Sequence, residues 1–384
     1  MSMHSARTDL LAQDAVVNDL LQPLLAAAAD LPDVTEICVN RPGVVLVFSQ
    51  GRFVHVAVPA LTFEWGMSLA RAIAVYSDQQ VDAMSPILSA MLPGGERIQI
   101  VVPPTAPPGT VSLTIRVPSS VVKTLSEWEA DGMFHRYRWA KHPDYDARRR
   151  ELSPLDAALC DHLENNRLRQ FLELAVRESK FIAAVGATGS GKTSLLKALI
   201  ACIPLEERLG SIEDVRELIF PHENVVSLVY SRGGQGVARV TPSDLIACLM
   251  RQFPSRGILG ETRGSEAFDL LKLLTTGHTG MTSWHAESCA LAIERFVGMC
   301  KEHPDAAIYA TDELRRLVAL TMDIIVHVVA RPTFDATGKV VGRERYVAEV
   351  HFDPIAKLAA QFGGGQVHTA RPADVVPIHG GGGR

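Results

Sequence analysis

Eight residues of the chain have the types and the spacing of a phosphate-binding loop. They run from Gly186 to Thr193 and read GATGSGKT, which fits the pattern G-x-x-x-x-G-K-[ST]. Glycines at these positions let the backbone N–H groups turn inward, so that these donors and the positive end of the next helix can hold phosphate oxygens. In this pattern Lys192 reaches the β- and γ-phosphates and the Thr193 hydroxyl binds Mg²⁺. The loop therefore predicts a site for ATP and Mg²⁺.

The segments on either side of this loop support the prediction. An apolar run of strand length, 181–185, precedes it, and a run of helix formers with apolar residues at helical spacing, 194–200, follows it. This order disfavours the alternative of a glycine turn with an incidental lysine. We expect nucleotide contacts from Gly186, Ala187, Thr188, Gly189, Ser190, Gly191, Lys192, Thr193 and Ser194.

Hydrolysis of a bound nucleotide also needs carboxylates that hold Mg²⁺ and polarise water. Glu213 and Asp214 follow one strand-like run, and Glu261 follows another, where Gly260 occupies a position that commonly carries an aspartate. The carboxyl ends of parallel strands face the ligand crevice of an open sheet. Glu261 is therefore a candidate for one of two roles: it orders the Mg²⁺ shell, directly or through water, or it orders the attacking water. Glu213 is the rival candidate for general base. The sequence leaves the division of these roles open.

Two histidines occur within the string TGHTGMTSWHA, which runs from Thr276 to Ala286. His278 and His285 flank a short strand that follows a helix, and we expect both at the edge of the sheet that carries the phosphate loop. A lone histidine is usually structural, but a pair at this edge favours a role as sensors of the γ-phosphate or of conformation.

The pattern of elements predicts two domains in a chain of 384 residues. We expect an α+β domain over residues 1–120, a linker over 121–152, a doubly wound α/β domain over 153–355 and a flexible glycine-rich tail over 356–384. An amphipathic segment, 9–25, carries aspartates and no lysine on its polar side, which favours a helix packed on the first domain over a lipid anchor. Pro23 should break or kink this helix.

Composition narrows the class of protein further. The formal net charge is −5, so no general positive field attracts nucleic acid or anionic lipid. Six cysteines without a C-x-x-C pair argue against a zinc module or a disulfide framework. No apolar run approaches the roughly 20 residues that span a bilayer, and the first residues lack the basic-then-apolar order of a secretory signal, so we expect no such signal. We therefore expect the protein to remain in the cytoplasm.

One local stretch is basic, unlike the rest of the chain. Residues 134–150 read FHRYRWAKHPDYDARRR, in which cations alternate with aromatic rings. Such a mixture can bind single-stranded nucleic acid by stacking and by phosphate contact. The alternative is a solvated linker whose aromatics hold it against a neighbouring domain or subunit. We favour the linker because the rest of the chain is not basic.

An ordered series of strings resembles the traffic ATPases of type IV secretion systems, within the superfamily that also powers type II secretion and type IV pili. The resemblance spans nearly the whole chain. Its strings are VTEICVNRPG (34–43), LPGGERIQIVVPP (92–104), LTIR (113–116), the phosphate loop, SIEDVREL (211–218), GETRGSEAF (260–268) and TGHTGMTSWHA (276–286).

This resemblance implies a RecA-like P-loop domain behind a smaller α+β domain, with ATP between them and two N-terminal arginines, Arg97 and Arg116, reaching the nucleotide. It also implies a hexameric ring on the cytoplasmic face of the bacterial inner membrane, peripheral to it and in contact with other secretion components. ATP hydrolysis would power substrate translocation, pilus assembly or both. The alternatives are a pilus or type II secretion motor, a nucleic-acid translocase or binding module, and a nucleotide-gated scaffold. Direct nucleic-acid binding is not expected.

Overall fold

The chain forms two β-sheets, each with its own hydrophobic core. The computed structural model describes residues 3–117, 122–230, 240–335, 338 and 340–362. The first sheet has six strands and the second has eight. Among the described residues no helix is both long and apolar enough to cross a membrane.

The N-terminal unit is an antiparallel sheet covered by two helices. Its strand order is β3-β2-β1-β6-β5-β4, and every neighbouring pair is antiparallel. Its elements are α1 (Met3–Ala28), β1 (Val34–Arg41), β2 (Val44–Ser49), β3 (Arg52–Ala57), α2 (Phe63–Tyr76), β4 (Ile87–Met91), β5 (Arg97–Val101) and β6 (Ser112–Arg116). The predicted α+β class of this unit is confirmed.

The first helix packs on this sheet, as its amphipathic pattern predicts. Val17, Leu21 and Leu24 are buried in the core of the N-terminal unit, and the indole N–H of Trp65 in α2 donates to the Leu20 carbonyl at 3.1 Å. Pro23 lies inside α1 without ending it, so the expected break is absent. Burial of the apolar stripe on the sheet holds the helix together across the missing N–H.

The C-terminal unit is built around a mostly parallel sheet with the order β10-β9-β11-β12-β8-β13-β14-β7. Its first elements are α3 (Leu125–Ala130), β7 (Arg138–Trp139), α4 (Tyr145–Arg148), α5 (Pro154–Glu164), α6 (Leu168–Arg177), β8 (Ile182–Val185), α7 (Lys192–Ile200), β9 (Leu209–Glu213) and β10 (Val225–Val229). They are followed by α8 (Pro242–Met250), β11 (Arg256–Leu259), α9 (Glu266–Thr275), β12 (Thr279–Trp284), α10 (Cys289–Lys301), α11 (Thr311–Thr321), β13 (Ile324–Phe334), β14 (Val340–Phe352) and α12 (Pro354–Phe362).

The central strand β8 shows why this sheet is covered on both faces. All four of its residues are buried, and alternate ones belong to different cores: Ile182 and Ala184 to one, Ala183 and Val185 to the other. Successive side chains of a strand point to opposite faces, so a fully apolar strand requires helices on both sides. The doubly wound α/β arrangement is confirmed.

Described residues of the stretch predicted to be a linker pack against the C-terminal sheet. Trp128, Phe134 and Tyr145 are buried in one of its cores, and β7 pairs with β14. Most cations of the same stretch are engaged by carboxylates, for example Arg138 by Glu349 at 2.6 Å. Further ion pairs are Arg136–Glu344, Lys141–Asp146, Lys141–Glu164 and Arg148–Glu151. With Phe134 and Tyr145 buried and most of its cations paired, this stretch is poorly suited to stacking bases.

The beginning of the expected tail is also structured. Helix α12 extends to Phe362 and buries Ile355 and Ala360, while Lys357 pairs with Asp323 at 2.6 Å. The expectation of a flexible tail from residue 356 is wrong for these first seven residues, because apolar side chains on one side of the helix are covered. The glycine-rich stretch 363–384 lies outside the described residues.

Candidate active site

The residues with predicted chemistry meet at the carboxyl edge of the parallel sheet. The phosphate loop follows β8, Glu213 ends β9, and Glu261 and His285 follow β11 and β12. These four strands are neighbours in the order β9-β11-β12-β8 and all run parallel. Crossover helices return the chain to the same edge each time, so residues about 100 positions apart in sequence converge there.

The conformation of the phosphate loop depends on its glycines. Gly191 caps α7 with φ of 109°, a left-handed conformation that favours glycine. At Gly186 a Cβ would lie 2.1 Å from the Val328 carbonyl oxygen, so no larger residue fits between the loop and β13. The loop is thus fixed in shape by its contact with the sheet.

Lys192 is buried at the start of α7 and lies across the loop. Its ammonium donates to the carbonyl oxygens of Gly186 and Ala187 at 3.0 Å each, and burial lowers the pKa of Lys192 to about 8, an effect that the charge of Glu261 opposes. Phosphate oxygens near this ammonium would replace the loop carbonyls as its partners and would favour the charged form. Lys192 is therefore placed to grip a phosphate.

His285 connects this lysine to a carboxylate. Its Nδ1 lies 3.3 Å from the Lys192 ammonium, and its Nε2 lies 3.0 Å from Oε1 of Glu261. Since an ammonium can only donate, Nδ1 accepts and the ring proton sits on Nε2, facing Glu261. Burial, and then the charge of Lys192, lower the pKa of His285, so the ring is neutral at pH 7. His285 therefore lies between Lys192 and Glu261.

Glu213 is the more buried of the two candidate bases. Its Oε1 accepts the backbone N–H groups of Glu217 and Leu218 at 2.9 Å each, and burial raises its pKa in spite of these bonds. A Cβ on Gly260 would lie 3.1 Å from Cγ of Glu213. The carboxyl side chain of β9 therefore fills the space beside β11 that an aspartate at position 260 would need.

Two arginines of the N-terminal sheet complete the opposite wall of the cleft. Arg97 begins β5 and Arg116 ends β6, and the two residues are register partners across these antiparallel strands. Like charges directly opposite each other are unfavourable. They are accommodated by carboxylates of the other domain: Arg97 donates to Asp214 at 3.0 Å, and Arg116 lies 4.0 Å from Glu217.

These side chains line one cleft. Of the predicted site residues, the cleft contains Arg97, Arg116, Thr188, Gly189, Lys192, Thr193, Glu213, Glu261 and His285. Gly186, Ala187, Ser190, Gly191 and Ser194 do not line the cleft; they form the rest of the loop and the first turn of α7.

His278 is not brought to this cleft. It precedes β12, whereas His285 follows it, so the six residues of that strand separate the two histidines by about 20 Å. The Nδ1 of His278 contacts the Thr276 hydroxyl at 2.9 Å, at the amino end of the sheet. The expectation that both histidines lie at one edge is wrong, because a strand between them carries the chain across the sheet.

Sequence reasoning missed one cation of the cleft. Arg263 pairs with Glu261, and its other terminal nitrogen lies 3.2 Å from Asp214, so it joins the acidic residues that follow β9 and β11. It stands two residues after Glu261 in the string GETRGSEAF. That spacing was the available signal, since a side chain two residues after Glu261 can return to the same edge of the sheet.

The oxygen donors of the cleft suit a magnesium ion that is held mainly by a nucleotide. Thr193 supplies a hydroxyl and Glu261 a carboxylate, both hard ligands. In the described ranges no three acidic, histidine or cysteine side chains converge into a metal site of their own. Mg²⁺ commonly binds through one or two protein oxygens together with substrate phosphates, so these residues fit it.

A phosphate loop on a parallel sheet, with carboxylates at neighbouring strand ends, defines the class: a P-loop nucleotide hydrolase whose catalytic domain is RecA-like. A family model described as "Type II/IV secretion system protein" matches residues 153–341. The chain is 39% identical over 368 residues to the type IV secretion system protein VirB11 of Brucella suis. The alignment covers 93% of this chain and 98% of that protein.

Two further comparisons agree with this class. PtlH of Bordetella pertussis, also a type IV secretion system protein, is 39% identical over 312 residues, or 80% of this chain and 89% of the relative. The solved structure of the pilus retraction motor PilT with bound ADP superposes with a TM-score of 0.56 at 16% identity, over 89% of this chain and 85% of that one, which shows a shared fold. The chain belongs to the VirB11 family of type IV secretion ATPases, and it is an ATP hydrolase.

Proposed function

We propose that this protein is a hexameric, Mg²⁺-dependent ATPase that powers substrate translocation, pilus assembly or both in a type IV secretion system. It works at the cytoplasmic face of the inner membrane, peripheral to the bilayer and in contact with other secretion components. The observation that carries the proposal is the cleft itself, which combines a phosphate loop from one domain with Arg97 and Arg116 from the other.

Each residue of the cleft has a distinct task in this mechanism. Lys192 and the loop N–H groups bind the phosphates. Thr193 and Glu261 would hold Mg²⁺, Glu261 directly or through water, and the ion would supply positive charge beside the phosphates. Glu213 aligns the attacking water, because it is buried at the end of β9 and burial raises its pKa, which favours proton acceptance. His285 links Lys192 to Glu261 and reports whether the γ-phosphate is present.

The two N-terminal arginines decide when cleavage occurs. They neutralise charge on the γ-phosphate only when the two domains are closed on each other. An arginine finger contributes about 10³ to 10⁵ in rate, which is roughly 4 to 7 kcal/mol. Domain position alone can therefore gate turnover, and release of the cleaved phosphate removes the charge that holds the clamp closed.

The alternatives are less well supported. A pilus motor shares the fold, but the relatives with high identity over nearly the whole chain belong to type IV secretion. A nucleic-acid module using residues 134–150 is disfavoured because Phe134 and Tyr145 are buried and the neighbouring cations are paired.

Two measurements test the proposal. Purified protein should release phosphate from ATP in the presence of Mg²⁺ and lose that activity in EDTA. Sedimentation with and without a non-hydrolysable ATP analogue should show a particle about six times the 41.7 kDa chain in at least one condition. Absence of phosphate release would contradict the enzymatic part, and a monomer in both conditions would contradict the ring.

A further inference from the structure

The outer side of the phosphate loop contacts two arginines that the cleft does not contain. Arg343 and Arg345 lie on β14, two residues apart and therefore on the same face of the strand. The Nε of Arg345 donates to the carbonyl oxygen of Gly189 at 3.3 Å. At Gly189 a Cβ would lie 3.6 Å from the terminal nitrogen Nη1 of Arg343. Both side chains thus contact the loop from outside the cleft.

The aliphatic part of Arg345 also supports the loop. At Gly191 a Cβ would lie 3.6 Å from Cδ of Arg345 and 3.8 Å from both the Trp128 ring and the Val328 side chain. Arg345 is thus packed against the residue that caps α7, although its side chain remains exposed to solvent. Such packing restricts the loop at the two glycines whose left-handed backbone shapes it.

Arg343 makes a second contact, to the N-terminal sheet. Its guanidinium lies over the ring of Phe48, 5.6 Å from the ring centre. Close by, the turn between β2 and β3 approaches β14 so tightly that a Cβ on Gly51 would lie 3.1 Å from the Cα of Gly342. The N-terminal sheet therefore touches the chain immediately beside the two arginines.

We propose that Arg343 and Arg345 are positioning residues for the phosphate loop and connect it to the N-terminal sheet, an inference that rests on the proposed function. Arg345 holds the loop in the shape that binds phosphate, so less order has to be imposed when the nucleotide binds. Arg343 joins this support to Phe48, so that the position of the N-terminal sheet affects the loop. The front of the cleft has its own connection through Arg97 and Arg116.

The full-length protein allows a direct test of the Arg345 contact. We expect Arg345→Gln to raise the dissociation constant for ADP about fivefold, the effect of freeing roughly one backbone residue, with KM for ATP rising more than kcat falls. Arg345→Lys should not restore affinity, because lysine lacks the Nε donor within its chain. The matched control is Arg331→Gln, an exposed arginine of the same hairpin that lies over Tyr346.

The link to the N-terminal sheet is tested by a double-mutant cycle of Arg343→Gln and Phe48→Leu. We expect the affinity of the double variant for ADP to be no lower than that of the single variant with the lower affinity, since both changes break the same contact. Thermal unfolding without nucleotide monitors folding of every variant.

Three results would overturn the inference: wild-type affinity in Arg345→Gln, full recovery in Arg345→Lys, or strictly additive effects in the cycle. Recovery with lysine would mean that positive charge alone attracts the nucleotide. These outcomes differ from failure of the proposed function, in which the wild-type protein itself would neither bind ADP nor hydrolyse ATP.

Discussion

The two sheets contribute to the cleft in different ways. The C-terminal sheet is parallel where it forms the site, so four strand ends bring the loop, Glu213, Glu261 and His285 to one edge. The N-terminal sheet is antiparallel, so only the start of β5 and the end of β6 meet, and they bring two like charges. The first arrangement carries the phosphate loop, whereas the second contributes through its position relative to the first. In the proposed mechanism the C-terminal domain therefore supplies most of the affinity, and the N-terminal arginines gate turnover.

Removing the phosphate grip should have the largest effect within the C-terminal sheet. Lys192→Ala deletes a buried ammonium that touches the loop carbonyls and His285. We expect kcat/KM for ATP to fall by about 10³-fold, with weaker ADP binding as well, because a preorganised charged donor is lost. Steady-state phosphate release and ADP titration measure the two effects. If the variant kept its affinity for ADP and lost only turnover, Lys192 would have the role proposed for the arginines, and the proposed difference between the two domains would be contradicted.

The low pKa of Lys192 predicts how affinity depends on pH. In the empty protein this pKa is about 8, and bound phosphates should raise it, so binding takes up a proton above pH 8. Affinity for ADP should therefore fall by up to about tenfold per pH unit as pH rises above 8. Calorimetry in two buffers with different ionisation enthalpies measures the proton uptake. No uptake at pH 8.5 would contradict the assignment of this pKa to the phosphate grip.

A smaller effect is expected at the contact between the two domains. Asp214 accepts from Arg97 at 3.0 Å and lies 3.2 Å from Arg263, so in the empty cleft it competes with phosphate for these cations. Asp214→Asn should raise the affinity for ATP about two- to fivefold, the effect expected for a partly exposed ion pair. Asp161→Asn, a paired aspartate on α5, is the control. Weaker ATP binding in Asp214→Asn would show that this carboxylate supports the site.

The smallest effect concerns the space beside Glu213. Gly260→Ala would place a Cβ 3.1 Å from Cγ of Glu213 and should destabilise the fold by about 1 kcal/mol. The control is Gly298→Ala in α10, where a Cβ meets nothing within 4 Å and helix propensity predicts a slight gain. Thermal unfolding compares the two variants. Equal midpoints would show that Glu213 moves aside without cost and is not fixed in place.

Much of the fold and of the site could be predicted from the sequence. The motif strings identified the loop, Glu213, Glu261 and His285, because their local order of strand, turn and helix is sufficient to place them at one edge. The resemblance pointed to Arg97 and Arg116, which lie in the cleft.

The errors have a common physical origin. The prediction for His278 was wrong because strand β12 lies between the two histidines and places them at opposite edges of the sheet. The stretch 121–152 has elements as short as the two-residue β7, which leave no periodicity to detect. Arg263 and Arg345 were missed because their roles depend on contacts with Asp214 and Gly189, which are distant in sequence.

In the proposed mechanism the N-terminal arginines Arg97 and Arg116 gate turnover, while the phosphate loop of the C-terminal domain supplies most of the affinity. The most direct test is the double variant Arg97→Ala, Arg116→Ala, in which kcat at saturating ATP and affinity for a non-hydrolysable ATP analogue are measured together, with Arg71→Ala, an exposed arginine of α2, as the control. We predict that kcat falls by about 10³-fold while affinity changes by less than about fivefold. Unchanged kcat, or a loss confined to affinity, would contradict the claim.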